Sequence, residues 1–206
     1  MILSADLFAA LVAFAFVSSI TPGPNNLMLL ASGVNFGIRR TVPHMLGIEC
    51  GVVLTVTLVG LGFGQVLAVA PWSLGAIKLA GVAYMLWLAW KIAQSGRIGE
   101  GRTGARPMTF LQAAAFQLVN PKAWAMTVTA VAAYTMADRF LSSVVVVALV
   151  FGAVSLPSVS VWAMFGVWLR RYLDDPGVVL WFNRGMALLL VASLWPVAAD
   201  ALARYG

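Results

Sequence analysis

The first long apolar run of the chain is interrupted by Thr21-Pro22-Gly23-Pro24-Asn25-Asn26. The two prolines remove two backbone donors and the glycine adds conformational freedom, so a continuous helix is not expected here. Inside a membrane, freed backbone groups are tolerated only where they are buried in protein or line a wet cavity. Threonine and asparagine side chains suit such a place, because they cap a restarting helix and offer amides to a ligand. A kinked helix end near the membrane interface is the alternative.

The composition indicates that lipid is the solvent for most of the chain. Of its 206 residues, 62% are hydrophobic and 10% are charged, compared with about 45–50% and about 25% in soluble domains. A chain of this length cannot bury so much apolar surface in one aqueous core. The net charge of +6 does not indicate nucleic-acid binding, because the cations stand in short clusters between apolar runs.

A spanning helix needs about 20 mostly apolar residues, and this rule predicts an all-α polytopic membrane protein with six spans. The predicted spans cover residues 5–35, 42–64, 71–94, 109–134, 141–168 and 178–199. The first and the fourth are interrupted by proline. The polar stretch 95–108 divides the single transmembrane domain 1–206 into two three-span repeats, 1–94 and 109–206. Because three is an odd number, the repeats must be inverted relative to each other, as in secondary transporters.

Lysine and arginine are distributed unevenly between the predicted loops. Nine lie around the loops after spans one, three and five, and two lie on the opposite side. The nine are Arg39, Arg40, Lys91, Arg97, Arg102, Arg106, Arg170, Arg171 and Arg184, and the two are Arg139 and Arg204. Since cytoplasmic loops carry the excess of positive charge, these three loops are predicted to be cytoplasmic and both termini to lie outside.

The second break, Asn120-Pro121-Lys122, lies inside the fourth predicted span, and a shift of about 99 positions aligns Pro22 with Pro121. A lysine at mid-membrane costs about 2.5–3.5 kcal/mol on insertion scales, and snorkelling to the interface is the alternative for this residue. Because a helix N-terminus attracts negative charge, two half-helices that restart at these breaks are predicted to bind a carboxylate. The predicted substrate site comprises Thr21, Pro22, Gly23, Pro24, Asn25, Asn26, Asn120, Pro121 and Lys122.

Glu49 is the only acidic residue in the core of a predicted span. It is either a proton-coupling residue or a static partner of Lys78 or Lys122, and the sequence leaves both interpretations open. One histidine, one cysteine and one buried acid do not make a set of metal ligands. The sequence contains no catalytic triad, P-loop or dinucleotide motif, so no enzyme activity, catalytic residue, metal or cofactor is expected.

Three glycines are predicted to serve helix packing. Gly47 and Gly51 stand four residues apart in the second span, and Gly81 lies in the third. Glycines at this spacing let another helix approach the backbone closely.

These motifs, in their order along the chain, resemble those of the LysE/RhtB family of amino-acid exporters. The stretch 21–26 resembles the family signature near the end of its first span, and Gly47-x-x-x-Gly51 resembles its span-two glycine motif. Residues 78–88 (KLAGVAYMLWL) resemble its span-three pattern K-x-x-G-x-x-Y-L-x-W-L. Residues 117–123 (QLVNPKA) resemble its N-P-K break, and Asn183-Arg184 begins the usual last span. The ordered set covers nearly the whole chain.

The resemblance implies a multi-pass protein of the bacterial inner membrane, and the distribution of lysine and arginine then predicts that both termini lie in the periplasm. The resemblance also implies export of a small neutral amino acid, of the cysteine/O-acetylserine or homoserine/threonine type, driven by a proton gradient or by exchange. The implied partners are the lipid bilayer, the amino acid and protons, with a homodimer left open. Residues 87–93 look most like the cysteine and O-acetylserine branch, whereas Glu49 departs from the small or polar residue expected there. A membrane assembly subunit and an ion channel remain the alternatives.

Overall fold

The computed structural model describes residues 2–63, 71–94, 106–173, 175–195 and 199, and this part of the chain forms eight α-helices and no β-strand. The helices are α1 (Ala5–Ile20), α2 (Pro24–Phe36), α3 (Ile38–Gly60), α4 (Pro71–Ala93), α5 (Phe110–Gln117), α6 (Pro121–Tyr134), α7 (Phe140–Leu169) and α8 (Pro176–Ala192). Two 3₁₀ turns, Ala137–Arg139 and Arg170–Tyr172, extend the two ends of α7. Most of the predicted loop 95–108 and the side chain of Lys78 lie outside the described residues.

Side-chain oxygens cap the first turns of four helices, α1, α5, α6 and α8. Each accepts a hydrogen bond from a backbone amide that has no partner within its helix. The capping residues are Ser4, Thr109, Asn120 and Asp175. Proline follows at the start of α2, α6 and α8, where its missing N–H removes no helical bond. Local sequence therefore sets where these helices begin.

Both predicted interruptions are present. α1 ends at Ile20 and α2 begins at Pro24, and the two helices are bent by 55° relative to each other. α5 ends at Gln117 and α6 begins at Pro121. We refer to these places as the first break (residues 21–23) and the second break (residues 118–120).

The ends of two spans differ from their predictions. α3 begins at Ile38 rather than at residue 42, so Arg39 lies in its first turn and not in a loop. The cause is Gly37, whose positive φ of 76° ends α2 and turns the chain directly into the next helix. α8 covers Pro176–Ala192, whereas the predicted span was 178–199, and residues 196–198 of that span lie outside the described residues.

Length and apolar composition identify fewer spans than the six predicted. Among the described residues, α3 and the run Ala137–Tyr172 around α7 are long and apolar enough to cross a membrane, and the bent pair α1–α2 makes a third if it is one span. The apolar stretches Leu79–Ala93 and Gly177–Ala192 are shorter. The outward faces are nevertheless strongly apolar. Leu111 is 74% exposed and Leu188 71%, which is typical of surfaces in contact with lipid.

Each broken helix pair packs against a helix from the other half of the sequence. α1 and α2 both contact α7, and α5 and α6 both contact α3. α3 and α7 contact each other, as do α4 and α8. The main core forms where α1, α3 and α7 meet, around buried residues such as Leu11, Ile48 and Phe151. This arrangement brings the two breaks together, with Gly23 and Asn120 buried and Thr21 and Pro22 exposed.

Several of these helix contacts depend on glycine. A Cβ placed on Gly47 would overlap the Phe110 carbonyl oxygen of α5, and one on Gly51 would lie 2.5 Å from Gln117 Cγ. A Cβ on Gly81 would overlap the carbonyl oxygen of Val119 at the second break. Backbones therefore touch directly at these positions, which any larger residue would force apart.

Replacing Gly47 by alanine tests the contact between α3 and α5. The added methyl group would also lie 2.8 Å from Ala113 Cβ, and overpacking of this kind costs about 1–3 kcal/mol. We expect Gly47→Ala to lower the thermal unfolding midpoint of the detergent-purified protein. Gly185→Ala is the control, because a Cβ at Gly185 meets no atom within 4 Å. Equal midpoints for the two variants would contradict the close contact.

Candidate functional site

Lys122 and Gln117 connect the two breaks. Lys122 Nζ donates a hydrogen bond to the Thr21 carbonyl oxygen at 2.6 Å, and its side chain packs against Gly23, where a Cβ would lie 2.9 Å from Lys122 Cδ. The amides of Asn25 and Gln117 exchange two hydrogen bonds, of 2.9 and 3.1 Å. Segments about 100 residues apart in the sequence thus share one hydrogen-bonded network.

The backbone carbonyl groups at the first break find side-chain donors. Pro24 cannot donate to the carbonyl of Ile20, which instead accepts from Trp162 Nε1 at 3.0 Å. Asn26 Nδ2 donates to the carbonyl oxygens of Ser19 at 2.8 Å and Thr21 at 2.9 Å. These bonds satisfy groups that would otherwise be costly to bury.

Asn120 organises the second break. Its Oδ1 accepts from the backbone amide of Lys122 at 3.1 Å and so caps α6. Its Nδ2 donates to Gln117 Oε1 at 3.2 Å, the same oxygen that accepts from Asn25. Trp124 Nε1 donates to the carbonyl of Leu118 at 2.8 Å. An indole thus donates to a backbone carbonyl at both breaks, whereas the Asn120 amide bonds to a side chain and not to the backbone.

A cavity lies between the two breaks and contains about 360 Å³ of empty space, including its opening. The first turns of α2 and α6 border it, so two helix N-termini adjoin the same space. Its polar residues are Ser18, Ser19, Asn25, Asn26, Asn120, Lys122 and Ser155. Its other residues are Gly23, Ile48, Val52, Ala123, Met126 and Val159. The cavity thus has both a polar and an apolar part, as small-molecule sites do.

Glu49 is connected to this cavity through Ser155. The carboxyl group is buried, at 7% exposure, and its Oε2 accepts a short hydrogen bond from Ser155 Oγ, while Oε1 has no partner within the described part of the chain. No ion pair joins Glu49 to Lys122 among the described residues, since Lys122 bonds to Thr21 instead. The predicted partnership with Lys122 is therefore absent, and the one with Lys78 falls outside the described side chains.

The nine residues of the predicted substrate site fall into three groups. Five of them line the cavity, namely Gly23, Asn25, Asn26, Asn120 and Lys122. Thr21 contributes its carbonyl oxygen to Lys122. Pro22, Pro24 and Pro121 are not among the lining residues, and they shape the site by ending or starting helices.

Sequence reasoning missed Ser19, Gln117, Ser155 and Trp162. Ser19 stands directly before the first break and Gln117 within the motif of the second, so proximity to a break was an available signal for both. Ser155 and Trp162 lie in the middle of a long apolar helix, where only the tertiary contact identifies them. Among the described residues, no group of three His, Cys, Asp or Glu side chains lies close enough to bind a metal ion.

A family model and the similar proteins of known sequence indicate the same family for this chain. Residues 16–194 match the family model described as LysE type translocator. The chain is 32% identical to the cysteine/O-acetylserine efflux proteins of Escherichia coli K12 and Shigella sonnei over 187 residues, which cover 90% of this chain and 94% of each relative. The protein of the same name in Escherichia coli O139:H28 is 31% identical over the same length. No solved structure matches. The match over most of its length, together with the two joined breaks, shows that the chain belongs to the LysE-type translocator family of membrane transport proteins.

Proposed function

We propose that this protein is a secondary active exporter that moves a small neutral amino acid out of the cytoplasm by alternating access. The observation that carries the proposal is the meeting of two broken helices at one cavity, with Lys122 between them. Transporter binding sites typically form where discontinuous helices meet between repeats. The relatives named as cysteine/O-acetylserine efflux proteins suggest an amino acid of that size.

The substrate carboxylate binds at Lys122 and at the first turns of α2 and α6. Both helix N-termini adjoin the cavity, and each favours negative charge through its dipole; α2 has no side-chain cap, whereas the Lys122 amide of α6 is already bonded to Asn120. Asn25 and Asn26 orient the bound molecule by hydrogen bonding. The apolar residues Ile48, Val52, Met126 and Val159 accommodate its short side chain.

Six spans in two inverted repeats form part of this proposal, with each broken pair counted as one span. The pattern of contacts supports it: the broken pair of each half packs on the second span of the other, α7 or α3. The remaining major contacts, α3 with α7 and α4 with α8, join equivalent helices. Reciprocal contacts of this kind arise when two similar halves are related by a two-fold axis. Because each half has an odd number of spans, the two halves have opposite orientations in the membrane.

The protein is oriented with both termini in the periplasm of the bacterial inner membrane. Arg39 follows Gly37, and Arg170 Nη1 lies 3.7 Å from the place where a Cβ on Gly37 would stand, so these cations gather at one end of the bundle. Arg139 lies at the opposite end of the 30-residue α7. The end that is richer in arginine is the cytoplasmic one.

Glu49 couples transport to protons in this scheme. Its Oε2 accepts a hydrogen bond from Ser155 Oγ, and Ser155 lines the cavity. One hydroxyl group therefore separates the carboxyl from the transport path and provides a route for a proton. Exchange of one amino acid for another, without protons, is the second driving force that the family allows.

Transport by purified protein in liposomes tests the site. We expect saturable counterflow of at least one of L-cysteine, O-acetyl-L-serine, L-serine, L-homoserine and L-threonine. Lys122→Ala and Asn25→Ala should reduce it to the level of empty liposomes, because each removes a group that contacts both breaks. Arg139→Ala is the control, since it removes only an exposed cation that pairs with Asp138 at 3.7 Å.

Wild-type flux in both site variants would exclude this site. Flux that does not saturate would indicate a channel, and no flux at all an assembly subunit.

Proton coupling is tested with Glu49→Gln, which keeps an oxygen to accept from Ser155 but binds no proton. We expect an imposed pH gradient to drive accumulation in the wild type and not in the variant, while counterflow at equal pH persists in both. Asp138→Asn changes an exposed acid at the end of α7 and serves as the control. A variant that still accumulates substrate like the wild type would rule out Glu49 as the proton site.

Orientation is tested by labelling single cysteines in a Cys50→Ser background. An impermeant maleimide added to intact spheroplasts should modify Arg139→Cys and leave Arg40→Cys unmodified, because both side chains are exposed but at opposite ends. Permeabilised cells should show labelling of both. Labelling of Arg40→Cys from outside would reverse the proposed orientation.

A further inference from the structure

Two polar atoms beside the cavity are buried and have no hydrogen-bond partner in the described part of the chain. They are Ser19 Oγ and Asn26 Oδ1, in residues that are 7% and 2% exposed and that both line the cavity. Nearly all buried polar atoms in proteins have a partner. Two unsatisfied atoms at one cavity therefore mark a place where a ligand supplies the missing bonds.

The chemistry of the missing partner follows from the Asn26 side chain. Its Nδ2 already donates to the carbonyl oxygens of Ser19 and Thr21, which fixes Oδ1 as the unsatisfied acceptor. A partner for Oδ1 must be a donor. The Thr21 carbonyl oxygen beside it already binds an ammonium group, that of Lys122, at 2.6 Å. The acceptors at this side of the cavity thus suit a ligand group that donates several hydrogen bonds, as an ammonium group does.

We propose that Ser19 and Asn26 bind the primary ammonium group of the transported amino acid, next to Lys122, which binds its carboxylate; this inference rests on the proposed function. An ammonium group has three donors. Ser19 Oγ and Asn26 Oδ1 accept two of them, and the Thr21 carbonyl accepts the third once Lys122 turns towards the carboxylate.

The spacing of the two subsites suits an α-amino acid. Lys122 Nζ and Asn26 Nδ2 both lie within hydrogen-bond distance of the Thr21 carbonyl oxygen, at 2.6 and 2.9 Å. A carboxylate at Lys122 and an ammonium group at Asn26 are therefore neighbours, as they are on one α-carbon. Lys122 Nζ bonds to the acceptor that the substrate ammonium needs, the Thr21 carbonyl oxygen. A ligand that carries only a carboxylate or only an ammonium group makes the contacts to Lys122 or those to Ser19 and Asn26, but not both.

The test compares Ser19→Ala with Ser158→Ala in counterflow of the amino acid from the panel above that the wild type transports best. The Ser19 hydroxyl has no partner to lose, whereas Ser158 Oγ donates to the Val154 carbonyl of its own helix at 2.8 Å and lies outside the cavity lining. We expect Ser19→Ala to raise the half-saturating concentration about tenfold, because it removes a hydrogen bond to a charged group. Ser158→Ala should leave the half-saturating concentration within about twofold of the wild-type value.

A second readout separates ammonium binding from general damage. The carboxylic acid that matches the substrate but lacks its amino group, such as 3-mercaptopropionate for cysteine, should inhibit the wild type and Ser19→Ala equally. Weaker inhibition of the variant would overturn the proposal, as would an unchanged half-saturating concentration for the amino acid. If Ser19→Ala does not fold, Ser19→Cys, with a weak sulfur acceptor, is judged by the same two measurements.

The acceptors would also suit a sodium ion, so the experiment includes a choline buffer without sodium. Wild-type flux that requires sodium, with the requirement lost in Ser19→Ala, would assign the subsite to the ion and overturn the proposal. A wild type that transports no amino acid of the panel contradicts the proposed function itself. Normal wild-type transport with an unaffected Ser19→Ala contradicts only the ammonium subsite.

Discussion

Hydrogen bonding of the backbone around the two breaks is the constraint on which the rest of the structure depends. A helix interrupted by proline inside an apolar bundle leaves carbonyl groups without their usual donors, so other groups must donate to them. At the first break, the carbonyls of Ser19, Ile20 and Thr21 accept from Asn26, Trp162 and Lys122. Two of these donors, Trp162 and Lys122, come from the second half of the chain, so the first half cannot satisfy its own break alone. At the second break the Leu118 carbonyl accepts from Trp124 of the same half.

The same bonds that satisfy the fold also form the site. Lys122 is a donor to the backbone and a charged group at the cavity, and Asn25 pairs with Gln117 across the halves while it lines the same space. A zwitterionic ligand carries two kinds of group that can replace such contacts. Its carboxylate can bind Lys122, and its ammonium group can donate to the Thr21 carbonyl oxygen that Lys122 then no longer contacts. In the proposed binding mode, polar contacts are therefore exchanged rather than lost, which keeps the cost of opening the site low.

Close helix contacts keep this network in place. The helix α2 is fixed at both ends by pairs of amides, Asn25 with Gln117 and Asn35 with Asn183, the second at 2.8 and 3.0 Å. Between these ends, Gly33 lies directly against the backbone of Ala163 in α7. Interhelical amide bonds and direct backbone contact are the main sources of helix association in lipid, where apolar burial gives little preference.

Much of the local structure could be predicted from sequence, because its causes are local. Pro22, Pro24 and Pro121 set the two interruptions, and the capping residue Asn120 sets the start of α6. The first turn of α3 was predicted wrongly because its cause, the positive φ of Gly37, is a conformation that many glycines do not adopt. The all-α class and the family resemblance also followed from the chain itself.

Partner choice was decided only by the tertiary structure. The sequence offered Lys78 and Lys122 as partners for Glu49, yet the carboxyl bonds to Ser155, 106 positions away, and Lys122 bonds to the Thr21 carbonyl. Ser155 and Trp162, within a long apolar helix, gave no sign of their positions beside the cavity and the first break. The physical reason is that periodicity identifies the faces of an apolar helix but not the helix against which each face packs. In lipid, apolar faces pack about equally well, and polar groups and glycines determine which helices associate.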